Sequence, residues 1–266
     1  MSTPLWHKVE AYNLSRASEN KIHDDAVARQ YGFSGGLVPG AEVYAYMAHL
    51  PVQIWGRPWL QRGTADCRFL KPVYDGAVAT VTAAESEGEL QIQVESQGEL
   101  CASGRAALHG EPLDLPELDA FILVPPAASR PPADETSLAA GVWLGTAPLR
   151  LTPELSAQYL DDVRETDALY AREGLAHPGL ILRLCNAALR ENVTLGPWIH
   201  TGSSIQNFAA PRVGDELSAR ACVAANYERK GHRLVDLDAL VLANGVQPVA
   251  RVKHTAIYRL RQVAPA

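Results

Sequence analysis

The sequence predicts an α+β fold built twice. Three observations lead there: an internal repeat, one apolar helical pattern in each copy, and strand-like alternation after each helix. The chain has 266 residues, a formal net charge of −6, 47% hydrophobic and 20% charged residues. That is enough chain for one large domain or two ordinary ones, and the composition excludes a disordered or collagen-like polymer. An acidic balance without a basic tail leaves no electrostatic footprint for nucleic acid. No stretch approaches the roughly 20 apolar residues of a membrane span, and Met1 to Glu10 lacks a basic flank followed by an apolar run. The expectation is a cytoplasmic protein without a nucleic-acid or membrane partner. Cys67, Cys101, Cys185 and Cys222 are too far apart for a Cys-x-x-Cys site and read as reduced thiols.

One segment differs in composition. Pro125-Pro126 and Pro131-Pro132 bracket Ala127-Ala128-Ser129-Arg130, and paired prolines remove backbone donors and fix φ, which excludes a central strand or a helix interior. We read 125–140 as a linker between an N-terminal copy, 1–124, and a C-terminal copy, 141–266. Sliding the chain on itself by 139 positions supports the duplication. Tyr31, Gly35, Pro39-Gly40, Ala48, Leu50, Pro58-Trp59, Gly63, Phe69 and Pro72 then coincide with Tyr170, Gly174, Pro178-Gly179, Ala187, Leu189, Pro197-Trp198, Gly202, Phe208 and Pro211. These are 11 identities in the 46 positions from Tyr31 to Gly76, where composition by itself gives roughly three.

In the first copy Val43, Met47, Leu50 and Ile54 recur at helical spacing from about Ala41 onward, with Pro51 placed to kink or end the helix. In the second, Ile181, Leu184, Ala188 and Leu189 make a similar stripe after Pro178-Gly179. The period then changes to two. Val78, Thr80 and Thr82 alternate with small residues, and Leu90, Ile92 and Val94 alternate with polar ones, as in half-buried antiparallel strands. Leu234 to Leu242 reads as a long strand, with Asn244-Gly245 as a hairpin turn before Val249 to Tyr258. Each copy is thus one helix and a meander of three or four strands, without the strand-helix alternation of a doubly wound fold.

The segment Ala17-Ser18-Glu19-Asn20-Lys21-Ile22-His23-Asp24-Asp25, followed by Tyr31-Gly32-Phe33 and Gly35-Gly36-Leu37-Val38-Pro39-Gly40, resembles the MaoC-like dehydratases, or (R)-specific enoyl-CoA hydratases. Their signature is Asp-x-Asn-Pro-x-His with a Gly-Phe turn and a Gly opening the central helix. Arg68-Phe69-Leu70-Lys71-Pro72 also looks like that family's run into its strands. The resemblance covers residues 10–80 directly and the second copy through the repeat. It implies a double hotdog: two curved antiparallel sheets, each wrapped around one long helix, making a pseudo-dimer within one chain and leaving room for a further homodimer. It also implies an acyl-CoA or acyl-ACP substrate and no cofactor or metal.

By position, the resemblance puts His23 in the catalytic histidine's place and makes the Gly40 N–H the donor to a thioester oxygen. Hydration of an enoyl thioester needs both, a base for the water and a donor for the charge developing on oxygen. An imidazole suits the first, with an ordinary pKa of about 6.5, and a helix N-terminus the second. Asn20 reads as a loop-shaping residue. The sequence departs from the family at Ser18, which stands where an Asp is expected, and at Lys21, which stands for Pro. Glu19, Asp24 and Asp25 are candidate substitutes for the missing carboxylate. In the second copy Glu165-Thr166-Asp167-Ala168-Leu169-Tyr170 parallels the motif, with Tyr170 in the histidine's place; that copy reads as degenerate, or as donor of Glu165 to a hybrid site with His23. The other histidines lack metal-ligand spacing; His177 and His200 read as structural groups near a pocket. Two other functions stay open: a hotdog thioesterase, and a non-catalytic acyl-thioester-binding subunit.

Overall fold

The computed structural model describes residues 5–261; the outer ends of the two copies, 1–4 and 262–266, lie outside the described residues. In chain order its elements are β1 (Leu5–Glu10), α1 (Asp25–Gln30), α2 (Gly40–Trp55), α3 (Arg57–Arg62), β2 (Gly63–Phe69), β3 (Val78–Ser86), β4 (Glu89–Ser96) and β5 (Glu99–Leu108). The second half supplies β6 (Trp143–Gly145), β7 (Leu149–Arg150), α4 (Pro153–Asp162), α5 (Ala168–Glu173), α6 (Gly179–Arg190), β8 (Ile199–Asn207), β9 (Glu216–Arg229), β10 (His232–Ala243) and β11 (Gln247–Arg259). The strands form one sheet of eleven in the order β1-β3-β4-β5-β2-β8-β11-β10-β9-β6, with β7 also on β9.

The two halves meet at β2 and β8, which pair antiparallel. Thr64 faces Gln206 and Cys67 faces Ser203. Under the 139-residue repeat, 203 and 206 are the counterparts of 64 and 67. Each strand therefore meets the copy of itself in reverse, which is the pairing of an isologous two-fold interface. The chain contains its own pseudo-dimer.

Helix α2 starts at Gly40, as expected, but it is not a one-sided stripe: every residue from Ala41 to Val52 is buried, because the sheet covers one side and α6 packs on another. Pro51 does not end it. The helix runs on to Trp55 and stops at Gly56, whose φ of 57° reverses the chain and whose N–H closes on the Val52 carbonyl. Ile54, predicted on the buried face, is 40% exposed because it lies in that last turn. In α6, Ile181, Leu184, Ala188 and Leu189 are all buried.

The strand reading needs one correction. Leu90, Ile92 and Val94 face the core of β4, but in β3 the buried residues are Ala79, Val81 and Ala83, while Val78 is 54% exposed. Strand β3 packs against α2 through Ala79, Val81 and Ala83, so the alternation is shifted by one residue and Val78, Thr80 and Thr82 lie on the opposite face. The hairpin at Asn244-Gly245 has φ of 54° and 75° at those two residues, as a primed turn requires.

The segment 125–140 forms neither strand nor helix, yet it is fastened to the second half. Pro131 accepts from Thr194 N and Ala133 N donates back to Thr194 O. The Asn226 amide donates to the carbonyls of Asp134 and Leu138, and Leu138 is fully buried. Among the described residues no helix is long and apolar enough to cross a membrane.

Buried side chains of both halves form one continuous core that includes Leu50 of α2 and its repeat counterpart Leu189 of α6, both fully buried. Leu50→Ala and Leu189→Ala should each lower stability by about 2 to 5 kcal/mol and move the same single transition in urea. Two separate transitions, each responding to one substitution, would mean that the halves fold independently.

Candidate functional site

The site is built on a 3-10 turn, Lys21–His23, whose N-cap is Asn20. Asn20 Oδ1 accepts from Ile22 N at 3.3 Å and from Trp198 N at 3.2 Å, while Nδ2 donates to Trp198 O at 2.9 Å. Three backbone groups thus dictate which way the amide points, and two belong to the other half of the chain. Asn20 shapes its loop, as expected, and also clamps the halves together.

The same Nδ2 lies 3.2 Å from His23 Nε2. An amide NH2 can only donate, so Nε2 must carry a lone pair. At the opposite corner of the ring, Nδ1 is 2.7 Å from the Leu37 carbonyl, which can only accept, so Nδ1 carries the proton. Two independent neighbours impose one tautomer, a neutral imidazole with Nε2 as base. Burial agrees: it depresses the His23 pKa to about 4, against a smaller upward pull from the Leu37 carbonyl, with nearby Arg183 adding to the lowering. The backbone of this turn is held by Asn13 Nδ2 on the His23 carbonyl at 2.9 Å and by close packing of Gly36, where a Cβ would fall 2.1 Å from that carbonyl oxygen.

No carboxylate among the described residues bonds His23, and each candidate is engaged elsewhere. Ser18 turns its hydroxyl to the Asn20 carbonyl at 3.4 Å. Glu19 is paired with Arg130 of the Pro-rich segment at 2.9 Å, which holds its carboxyl below the usual range. Asp24 caps α1 through Ala26 N and Val27 N, and Asp25 accepts from Gly36 N at 2.8 Å, which lowers its pKa. The hybrid site is also overturned. Glu165 is buried with His49 Nδ1 at 2.7 Å and His177 Nε2 at 3.3 Å, and takes Thr166 N and Asp167 N at 2.7 Å each. Burial acts to raise its pKa, but the hydrogen bonds from His177 and His49 outweigh that and hold it well below the carboxylate range. A charged carboxylate with this many donors has no reason to leave them for His23.

Gly40 is the first residue of α2, so its N–H has no acceptor within the helix. A side chain here would collide with the Phe69 ring at 2.8 Å and reach His200 Nδ1 at 3.0 Å. His200 belongs to a buried set in which Ser203 Oγ lies 2.9 Å from His200 Nε2 and 3.0 Å from His254 Nδ1. Burial keeps both rings neutral, with His254 lowered to about 3.

At Gly179, the counterpart of Gly40, the space is filled. Its N–H donates to His177 Nδ1 at 3.1 Å, and the Tyr159 hydroxyl lies 2.1 Å from where a Cβ would stand. Tyr170 is buried with its ring 4.8 Å from that of His177. The second motif parallels the first, with Asp167 capping α5 as Asn20 caps its turn.

Two cavities open at the first site, one of about 350 Å³ and one of about 240 Å³, and Asn20, His23, Pro39, Asn186 and Trp198 line both. His23 therefore stands at a waist between two chambers. Gly40 and His200 line the smaller one; Ser18, Glu19, Glu42, Tyr159 and Arg183 line the larger. His177 lines neither. Sequence reading missed Glu42 and Arg183, which carry a signal in retrospect: Glu42 is the one charged residue of α2, and Arg183 is the one charged residue from Leu180 to Leu189. Among the described residues no group of His, Cys, Asp and Glu has the arrangement of a metal site.

No family model matches the sequence, and no curated protein matches it. Solved structures do resemble the fold. A conserved hypothetical protein of Mycobacterium tuberculosis described as having a double hotdog fold superposes with a TM-score of 0.66 at 16% identity, over 97% of this chain and 96% of that one. A Chloroflexus aurantiacus J-10-fl protein named for its MaoC dehydratase domain gives 0.62 at 12% identity, over 97% and 95% of the two chains. The dehydratase domain of PpsC from Mycobacterium tuberculosis, in complex with C12:1-CoA, gives 0.52 at 10% identity, over 97% and 94%.

The folded pKa of His23 lies below its unfolded value of about 6.5, so keeping the ring neutral stabilises the fold fully above that pH and this stability is lost as pH falls toward 4. His7, lowered to about 4 by burial and by His49, acts in the same direction. Unfolding free energy should therefore decline between pH 6.5 and 4, with His23 contributing on the order of 3 kcal/mol of that decline. Denaturant titrations of the wild type and His23→Gln should diverge in slope across that window; parallel profiles would show that His23 is not buried as a neutral base.

Proposed function

We propose that this chain, which has the double-hotdog fold of MaoC-like dehydratases, is an acyl-thioester hydratase and dehydratase that adds water reversibly across the double bond of an enoyl thioester. The observation that carries the reading is the state of His23: a neutral imidazole with its proton held on Nδ1 and with Nε2, which accepts from the Asn20 amide, at the waist of a two-chambered cavity. In this reading the N-terminal copy, 1–124, carries the working site and the C-terminal copy, 141–266, is degenerate, joined through 125–140. A filled position at Gly179 and a fully engaged Glu165 support that assignment.

The thioester carbonyl would accept from the Gly40 N–H, where the helix dipole favours the negative charge that develops on oxygen. For Nε2 to act as the base, the Asn20 N–H that it accepts gives way to a water, and this water hands Nε2 a proton as its oxygen bonds to C3. Asn20 keeps the imidazole in the tautomer that allows this. Two chambers meeting at the reacting atoms suit a substrate with an acyl group on one side of the thioester and a long carrier arm on the other. The complex of the PpsC dehydratase domain with C12:1-CoA supports a CoA thioester as the ligand class.

Incubation with crotonyl-CoA should bleach the enoyl-thioester absorbance and yield a 3-hydroxyacyl thioester without free thiol. His23→Ala should reduce kcat/KM by about 10² to 10⁴. With the His23 pKa lowered to about 4, the acid limb of the kcat/KM profile should fall well below pH 6.5. Thiol release outpacing hydration would identify a thioesterase instead. Full activity in His23→Ala would reject the reading altogether.

A further inference from the structure

Glu42 is placed where no structural need accounts for all of it. It stands in the first turn of α2, two residues beyond Gly40, and is fully buried. Its Oε1 accepts from Arg183 Nη1 of α6 at 2.8 Å, across the boundary between the halves. The other carboxylate oxygen, Oε2, is buried and has no partner. Tyr159 Oη and Asn186 Oδ1 are buried and unpartnered too, and all three residues line the same 350 Å³ cavity as His23. Buried polar atoms without partners are rare because each costs about 1 to 3 kcal/mol. Among the described residues twelve buried side-chain polar atoms lack a partner, and three of them belong to residues that line this one cavity, where a polar ligand would satisfy them.

An ion pair serving only to bind α2 to α6 would leave Oε2 unexplained. Burial raises the Glu42 pKa, and Arg183 opposes this without cancelling it. The carboxyl is thus pulled in opposite directions by burial and by its Arg183 partner, and a carboxyl beside a cavity can exchange a proton with what the cavity holds. Arg183 also acts on His23, helping to keep that ring neutral. Arg183 thus pairs with Glu42 and lines the same cavity as His23, and Asp at the Ser18 position is not needed to complete an acid and base pair.

Resting on the hydratase reading, we propose that Glu42 is the second proton-transfer group of this site and that Arg183 is its positioning residue. In hydration, His23 Nε2 takes one proton of water while the water oxygen bonds to C3. The π pair of the double bond moves onto C2 and the thioester oxygen, where the Gly40 N–H meets the charge. The enolate then collapses, and C2 takes the proton of the Glu42 carboxyl. His23 returns its proton to Glu42 through solvent, so one water is consumed and both groups are restored. Dehydration reverses each step, with the Glu42 carboxylate removing the C2 proton and protonated His23 giving its proton to the departing hydroxyl.

The test compares wild type, Glu42→Gln and the Glu42→Gln/Arg183→Met pair, the last included because it leaves no unpaired buried charge if Glu42→Gln folds poorly. Hydration of crotonyl-CoA and exchange of the C2 hydrogen of 3-hydroxybutyryl-CoA in D2O are followed, with circular dichroism for the fold and equilibrium dialysis for binding. The expected result is a loss of about 10² to 10⁴ in kcat in both variants, loss of C2 exchange, and acyl-CoA affinity within threefold of wild type. An active wild type with folded variants that keep hydration and exchange within threefold overturns the role of Glu42 and leaves the hydratase reading intact. A wild type that hydrates no enoyl thioester overturns that reading, and this inference with it.

Discussion

The antiparallel pairing of β2 with β8 is the constraint on which the other features rest. By joining each strand to the copy of itself in reverse, it makes one sheet of two and sets α2 beside α6 beneath it. Only with the halves in this relation do the Asn20 amide and the Trp198 backbone meet. That contact orients the amide, and the amide together with the Leu37 carbonyl sets the tautomer of His23, with the proton on Nδ1. A chain of hydrogen bonds thus runs from sheet register to proton chemistry, and each link has a geometric reason.

Placing both copies in one chain has a further physical consequence. Two identical subunits related by a two-fold axis must present two identical sites, so neither can change without the other. A fused pair is free of that limit. Here one copy keeps an open helix N-terminus at Gly40 and a cavity beside it, while at Gly179 the N–H is capped by His177 and the space is taken by Tyr159. The carboxylate of the second motif, Glu165, has become a buried tie to His49 of α2. The closed copy contributes to holding the halves together, and it also lends Arg183, Asn186 and Trp198 to the walls of the open one.

Much of the fold was legible because it depends on patterns that repeat along the chain. The 139-residue repeat located both central helices, and the alternation in Leu90, Ile92 and Val94 gave the inner face of β4 correctly. Where the pattern failed, the cause was three-dimensional. The face of β3 was misjudged because Val78, Thr80 and Thr82 alternate with small residues, whereas packing against α2 buries the alternate set Ala79, Val81 and Ala83. Pro51 was expected to threaten the helix, yet the local backbone accommodates it and Gly56 makes the stop.

What the sequence by itself determined is the identity of the parts: two copies, a segment ending in His23, a glycine to open each helix, and a serine rather than a carboxylate at position 18. These are encoded in residue type and spacing, which are one-dimensional quantities. The tertiary structure alone decided which groups share a cavity. Glu19, Asp24 and Asp25 are near His23 in sequence but are taken by Arg130, by the end of α1 and by Gly36. Glu42 is 19 positions away and Arg183 is 160, yet both line its chamber, because helix packing across the two halves brings together residues that no local spacing relates.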